Sequence, residues 1–575
     1  MTVDVLKPRN SRLLTLGSIF TFALTSLACS GDLQAQGPHD REPYFQFLPG
    51  NLVVSRSVYD NRASNVTVGA VLPPNCASTS VGCSGDTGTG ATNNGIYPAV
   101  FNNVLYDPSF GITSRLLLDQ ITPEGWLIDT LEVPNSLQRG VKSTSDQLVT
   151  SFSSKSEGAL NLSTSGKYLS FIDYVAPVNT IDASNSNTPG AVDPTNPVGE
   201  NYNRAVAVVD GHGRFHFTLT NAYSGNNGRA AILNDKDGLD VVYTAGNAGN
   251  GNNPQPEGVV LGAGTQFIEA LQSPEDKQDP GLPTPVGSFS VTELGDKSDK
   301  IGKDDNFRGL TLFNNVLYYS KGSGSNGVNT VYFLDTTGKA CPNGVGLPSA
   351  SATLPTTALS FDPSTVATKG LPNNMCILAG FPTGLAKSAA IVAFPFGLWF
   401  ADANTLYVAD EGDGYTGGTD LYTHAAAQTT AGLQKWVFSS KTGTWSLAYT
   451  LQKGLNLGTP YTVHGYPTGT NSATNLPWSP ATDGLRNITG RVNRDGTVTI
   501  WAITSTVSGG GDTGADPNNL VAITDRLSNT STSVAAKESF VAVRRSEFAE
   551  VLRGVSFTPS DEDDHHGFGH FGHSW

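Results

Sequence analysis

Leu552-Arg553-Gly554-Val555-Ser556-Phe557, near the C-terminus, reads as a short strand opened by an Arg-Gly pair. Working back along the chain, comparable openings stand at Leu485-Arg486-Asn487, Pro395-Phe396-Gly397, Phe307-Arg308-Gly309, Gly228-Arg229-Ala230 and Ser156-Glu157-Gly158. Their spacing is roughly 70 to 90 residues, wider than the ~40–45 of a minimal four-stranded propeller blade, and long polar loops account for the excess. The unit after Glu157 is the clearest. Ala159-Leu160-Asn161-Leu162, Lys167 to Phe171, Arg204 to Val209 and Phe215 to Leu219 follow one another as short strands, separated by turns rich in Ser, Asp and Gly. Later units keep the order. After Arg553 only one strand remains, whereas the N-terminal region offers three without a first: Leu52 to Val58, Leu116 to Ile121 and Trp126 to Val133. Joining them gives an all-β, six-bladed β-propeller closed by a C-terminal strand on N-terminal strands, which removes the exposed sheet edges. Seven blades is the alternative if Lys339 to Phe381 hides strands; its Pro, Ser and Thr content favours a loop excursion.

Composition supports this reading. The chain has 575 residues, with 15% charged residues, 64 glycines and a formal charge of −15. That balance suits short strands and turns, with very little helix. The acidic surface argues against nucleic acid as a partner, because backbone phosphates need basic residues to displace their counterions. Residues 1–30 carry Lys7, Arg9 and Arg12, then an apolar run from Leu13 to Ala28, the order of a signal peptide. Export to the cell exterior or periplasm is expected, with lipoprotein anchoring at Cys29 the less favoured alternative. No other run approaches a membrane span. Four cysteines follow the leader, and of three pairings Cys76–Cys83 and Cys341–Cys376 are the economical choice, each stapling one loop region. The expected domains are a propeller over 44–559 and an acidic, His-rich, disordered tail over 560–575. The protein is expected to be a monomer.

Five residues are candidates for ligand binding. Innermost strands begin at one mouth of a propeller channel, so Glu157, Arg229, Arg308, Arg486 and Arg553 are expected to converge there. Guanidinium forks at such a mouth suit a carboxylate, phosphate or sulfate, so an anionic small molecule or an extracellular partner is the expected ligand. The alternative is that each arginine pairs internally and fixes the blades. Asp410-Glu411-Gly412-Asp413-Gly414 is the candidate hard-cation loop, with Asp410, Glu411 and Asp413 as Ca²⁺ ligands. His565, His566, His570 and His573 in the tail are candidates for a transition metal. Long insertions, among them 177–201 and 460–480, are expected to build up one rim as surface loops, with Trp478 a candidate sugar platform. Trp399, Trp436, Trp445 and Trp501 lie on strands and suit inter-blade packing. Gly322 to Gly327 has the letters of a dinucleotide fingerprint, but a strand follows it instead of the required helix. No Gly-x-Ser-x-Gly elbow, P-loop or His-Glu-x-x-His motif occurs.

Ser156 to Leu160, Asn203 to Val206, Ala222 to Asn227, Leu406 to Gly412 and Leu552 to Phe557 together resemble a group of exported bacterial β-propeller proteins without a defined activity. Glu157-Gly158 and Ala409-Asp410-Glu411-Gly412 are also similar to pieces of phytase-like propellers. That second resemblance implies a divalent-cation-dependent hydrolase of phosphoesters or lactones, as the alternative to a binding scaffold.

Overall fold

The computed structural model describes residues 45–69, 112–138, 141, 147–152, 156–180, 183, 186–189, 200–236, 240–247, 264–270, 306–322, 327–357, 375–472, 474–510 and 514–560. The signal peptide with Cys29, the Cys76–Cys83 pair and the tail histidines lie outside them.

Six sheets form six blades. Blade 1 holds β5 (Asn161–Leu162), β6 (Tyr168–Tyr174), β7 (Arg204–Asp210) and β8 (Phe215–Thr220). Blade 2 holds β9 (Gly228–Asn234), β10 (Val241–Gly246) and β11 (Thr265–Glu269). Blade 3 runs β12 (Leu310–Phe313), β13 (Val316–Lys321), β14 (Thr330–Leu334) and β16 (Met375–Leu378), with β15 (Val345–Gly346) added in parallel at the edge. Blade 4 holds β17 (Pro395–Asp402), β18 (Thr405–Asp410), β19 (Gly432–Ser439) and β20 (Thr444–Leu451). Blade 5 holds β21 (Ala481–Val492), β22 (Thr497–Val507), β23 (Asn519–Arg526) and β24 (Val541–Arg545). Blade 6 closes the ring: β25 (Glu550–Phe557) pairs antiparallel with β1 (Leu52–Val58), followed by β2 (Thr113–Ile121) and β3 (Leu127–Glu132); β4 (Thr150–Ser151) pairs with the start of β2. Two short helices, α1 (Leu421–Ala427) and α2 (Thr532–Ala535), complete the described elements.

Two expectations need correction. The stretch from Lys339 to Phe381 is more than a stapled excursion, because Met375–Leu378 is the fourth strand of blade 3, fully buried and paired with β14. The Cys341–Cys376 disulfide ties that strand to the turn before β15. Its presence completes blade 3 without creating a seventh sheet. The 460–480 segment is also no free surface loop: Tyr466, Leu476 and Trp478 are buried, Tyr466 and Trp478 packing with Tyr59, Ile112, Phe152 and Val551 over blade 6. With its indole in that cluster, Trp478 offers no sugar platform.

The Gly of each opening pair has a packing reason. A Cβ on Gly309 would stand 1.9 Å from the Phe396 carbonyl oxygen of the next blade; on Gly397, 2.5 Å from that of Arg486; on Gly554, 2.5 Å from that of Gly158. Only the absent side chain lets adjacent innermost strands approach this closely. Second-strand serines fasten the same junctions. Ser55 accepts from Gly554 N at 2.7 Å and donates to Gly158 O at 2.6 Å, while Ser320 accepts from Gly309 N at 2.8 Å and donates to Phe396 O. Ser170 of β6 likewise donates to Ala231 O at 3.0 Å. Gly309→Ala is expected to cost about 3 kcal/mol or more, because backbone rather than a flexible side chain must move. Chemical denaturation will check this, and a loss within about 0.5 kcal/mol would contradict the close junction.

Charges inside the fold are paired across blades. Lys435 of β19 and Asp525 of β23 are both fully buried and 3.0 Å apart. Asp525 also accepts from the Tyr407 and Tyr449 hydroxyls at 2.5 and 2.7 Å, and Lys435 Nζ donates to the carbonyls of Arg526, Leu527 and Asn529 at 2.9 Å. At the closure, Asp119 receives Arg56 of its own blade at 2.7 Å and Arg544 of blade 5 at 2.8 Å.

Candidate functional site

All the blade-opening residues lie where the innermost strands begin, and the fold brings most of their side chains into one connected set. Glu157 is buried. Its Oε2 accepts from Thr150 Oγ1 at 3.0 Å and Ser151 N at 3.3 Å, and its Oε1 accepts from Asn227 Nδ2 at 2.7 Å and from the Tyr174 hydroxyl. Four donors thus hold this carboxylate in place. Asp173 is buried beside it, and burial together with the Glu157 charge pushes its carboxyl well above the usual range, against the opposing pull of Arg553.

The four arginines divide into two kinds. Arg229 donates Nε to Ser156 Oγ at 2.8 Å and Nη1 to Phe307 O at 2.8 Å and to Asn306 Oδ1. Arg553 donates Nε to Ser57 Oγ at 3.0 Å and Nη2 to the carbonyls of Ser151 and Phe152 at 3.0 and 2.6 Å. Arg229 thereby links blade 2 to the openings of blades 1 and 3, and Arg553 ties β25 to β1 and β4 of its own blade. Arg308 and Arg486 are 5% and 4% exposed and share one partner, Glu411: Arg486 Nε donates to Oε2 at 3.3 Å, and Arg308 Nε stands 3.7 Å from Oε1 without a hydrogen bond. Among the described residues, their terminal nitrogens Nη1 and Nη2 have no hydrogen-bond partner. These nitrogens keep contact with solvent, unlike the enclosed Arg308 Nε. Burial and the neighbouring Arg486 lower the Arg308 pKa while Glu411 raises it. Two guanidiniums thus share one carboxylate and keep open donors.

The three candidate calcium ligands face three different partner sets. Asp410 accepts from Phe394 N at 2.9 Å, Gly412 N at 3.0 Å and Gln434 Nε2 at 3.1 Å inside blade 4. Glu411 turns to the arginines. Asp413 lies on the rim, where it accepts from Gln428 Nε2 at 3.2 Å and meets His424 Nε2 at 2.6 Å. Among the described residues, the one group of three ligand-type side chains whose atoms gather within 4.8 Å is Asp335 with Cys341 and Cys376, and those cysteines are bonded to each other.

Sequence reasoning missed Glu411 as the partner of two arginines, because its Gly-Asp surroundings read as a cation loop. It also missed Asp173, which carries no signal beyond a lone acid in an apolar strand, and the half-exposed His424–Asp413 pair on α1. In that pair the His424 ring stacks on Tyr415 at 4.1 Å.

Burial also sets a pH dependence. Asp410 and Asp516 are pushed up to about 6, chiefly by burial, and Glu538 beside Asp525 to about 7. Each binds its proton more tightly folded than unfolded, where carboxyls titrate near ~4. Their stabilising contribution is therefore complete below about pH 4 and is lost as pH rises through 6 to 7. Unfolding free energy is expected to fall by a few kcal/mol between about pH 5 and 7.5, and Asp516→Asn is expected to flatten the profile. Urea titrations across that range will show it; a rise in stability would contradict the assignment.

No protein-family model matches the chain, and no curated protein does. Among solved structures it is similar to a polysaccharide lyase of a new family, an ulvan lyase bound to -[GlcA(1-4)Rha3S]-, at 10% identity over 80% of this chain and 94% of that one, with a TM-score of 0.29. It is similar also to an ACO/RPE65 chimera, at 6% identity over 80% and 60% of the two chains and a TM-score of 0.20. A mutant of the NanB sialidase from Streptococcus pneumoniae matches at 8% identity over 77% and 64%, with a TM-score of 0.21. Likeness at this level carries no argument about the chemistry of the mouth; what stands for this chain is a six-bladed β-propeller with a buried arginine pair at the start of its innermost strands.

Proposed function

We propose that this protein is an exported binding scaffold whose channel mouth captures an anionic group, a carboxylate, sulfate or phosphate, between Arg308 and Arg486. The observation that carries the reading is the pair of guanidiniums, each more than nine-tenths buried, whose terminal nitrogens have no partner among the described residues. Glu411 accepts from Arg486 Nε and lies 3.7 Å from Arg308 Nε, and the outer edges of the forks are left for a ligand, the geometry in which arginine binds oxyanions at two points. Low surrounding polarity strengthens each such bond. Extra structure rises on the same side: α1 and Leu476 pack against Ala481 and Val507 at the start of β21 and end of β22, and the 460–480 segment covers the start of β25. A partner larger than the anion itself would meet this rim. Export is supported by the Cys341–Cys376 disulfide, since such bonds persist in oxidising compartments. Among the described residues, no helix is long and apolar enough to cross a membrane.

Calorimetric titration with sulfate, phosphate and citrate at low salt tests the proposal. Saturable binding is expected, weakened tenfold or more by Arg308→Gln or Arg486→Gln and removed by the double substitution, with chelator leaving it unchanged. Undiminished binding by the double variant would overturn the reading. A strict calcium requirement would instead favour the hydrolase alternative with Asp410, Glu411 and Asp413.

A further inference from the structure

Beyond the mouth the innermost strands line a cavity of about 370 Å³. All six innermost strands line it, each with residues one to six positions past its opening pair: Leu160 to Thr164, Ile232, Thr311 to Phe313, Leu398 to Ala401, Ile488 to Val492 and Val555 to Thr558. At roughly 3.3 Å per strand residue, the lining begins about 7 to 10 Å beyond Arg486 and Arg308 and runs toward the opposite end of the channel. Its walls are mainly apolar and aromatic. Phe313 and Phe400 stack at 4.6 Å, and Trp399 lies against Gly490, whose missing side chain admits the indole: a Cβ there would be 2.8 Å from the ring.

In an acidic protein the described residues of this lining include no Asp or Glu, yet they include Arg491 and Lys236. The Arg491 guanidinium lies over the Trp501 ring at 5.5 Å, and among the described residues it has neither a hydrogen bond nor an ion pair. Asp235, the acid next to Lys236, is fully engaged by Ser163, Thr164 and Ser165. A concave, mainly apolar site of a few hundred Å³ with a small number of unmatched polar groups is the form small-molecule sites take.

We propose that this cavity binds a small amphipathic anion, an apolar ring system carrying one carboxylate or sulfonate, with the rings against Trp399 and Phe313 and the acid group at Arg491. Aromatic faces favour planar bodies, and the arginine supplies a two-point contact for the acid. This site is separate from the mouth, and the two stand or fall independently.

The test is a fluorescence titration of the full chain with 8-anilinonaphthalene-1-sulfonate, read by dye emission and by energy transfer from tryptophan. One saturable site is expected. Arg491→Gln should weaken it at least tenfold, Thr311→Trp should fill the cavity and abolish it, and the Arg308→Gln, Arg486→Gln double variant should leave it intact. The neutral analogue N-phenyl-1-naphthylamine should bind at least tenfold more weakly. Thermal unfolding of each variant confirms that it folds; if Thr311→Trp does not, Arg491→Gln and the neutral analogue decide the matter. Failure of the full chain to saturate, equal affinity for the neutral analogue, insensitivity to Arg491→Gln, or loss only in the mouth double variant would each overturn the proposal. Saturation seen only when the chain ends at Ser560, a lining residue followed by Asp561 to Asp564, would also overturn it and make the chain's own acidic tail the occupant.

Discussion

A chain ending at Ser546 is expected to lose cooperative unfolding altogether. The deletion removes β25, and with it the ladder that pairs Leu52 with Phe557 and Val58 with Glu550. Val551, Leu552, Val555 and Phe557 are all buried, and at ~1.5–3 kcal/mol for each such side chain the loss approaches the whole stability of an ordinary domain. Asn518 of blade 5 loses its hydrogen bonds to both backbone groups of Leu552, and β1 becomes an open edge. Circular dichroism and denaturant titration of the shortened chain will report the loss, and a synthetic peptide spanning 547–560 should restore a cooperative transition in trans. A shortened chain that unfolds near the parent midpoint would show that the ring does not depend on this closure.

Lys435→Ala is expected to destabilise the protein by about 3–5 kcal/mol, the cost of leaving a buried carboxylate without its cation. Asp525 would keep two tyrosine hydroxyls but lose the ammonium at 3.0 Å, and three carbonyls of the turn after β23 would lose their donor. Replacing both partners, as Lys435→Met with Asp525→Leu, should recover much of the loss because no charge is then stranded. Denaturation of both variants beside the parent measures the effect; equal losses in the single and double variants would mean that the pair is not its source.

The ring order was legible because strand alternation recurs behind a short Arg- or Gly-bearing opening at each blade, and in three of the six the glycine of that opening must meet the neighbouring backbone. Gly309, Gly397 and Gly554 stand at blade openings for that reason. Closure could be read from the surplus of three strands at one end and one at the other. The fourth strand of blade 3 was hidden because Met375–Leu378 is only four residues long and follows a polar, Pro-containing stretch, so no periodicity announces it. Trp478 misled for a similar reason: Pro and Ser around it look like a loop, and only the fold shows that this segment lies on Tyr59 and Phe152.

The candidate site was half legible. Position in the repeat places Arg229, Arg308, Arg486 and Arg553 on one side of the channel, but whether a guanidinium is used up depends on residues distant in sequence. Arg553 is occupied by Ser57 and by carbonyls about 400 residues away, whereas the side-chain ion pairs of Arg308 and Arg486 among the described residues are with Glu411. No local pattern separates those two cases. Glu411 itself was misread because an acid beside glycine and further acids has the same letters in a cation loop and in an arginine clamp.

The most direct measurement of the central claim is anomalous diffraction from crystals of the protein soaked in sodium selenate, an oxyanion of sulfate's shape and charge. A selenium peak within hydrogen-bond distance of the terminal nitrogens of Arg308 and Arg486, absent in the Arg308→Gln, Arg486→Gln variant, is the result predicted. A mouth empty at saturating selenate, or the same peak in the variant, would contradict it.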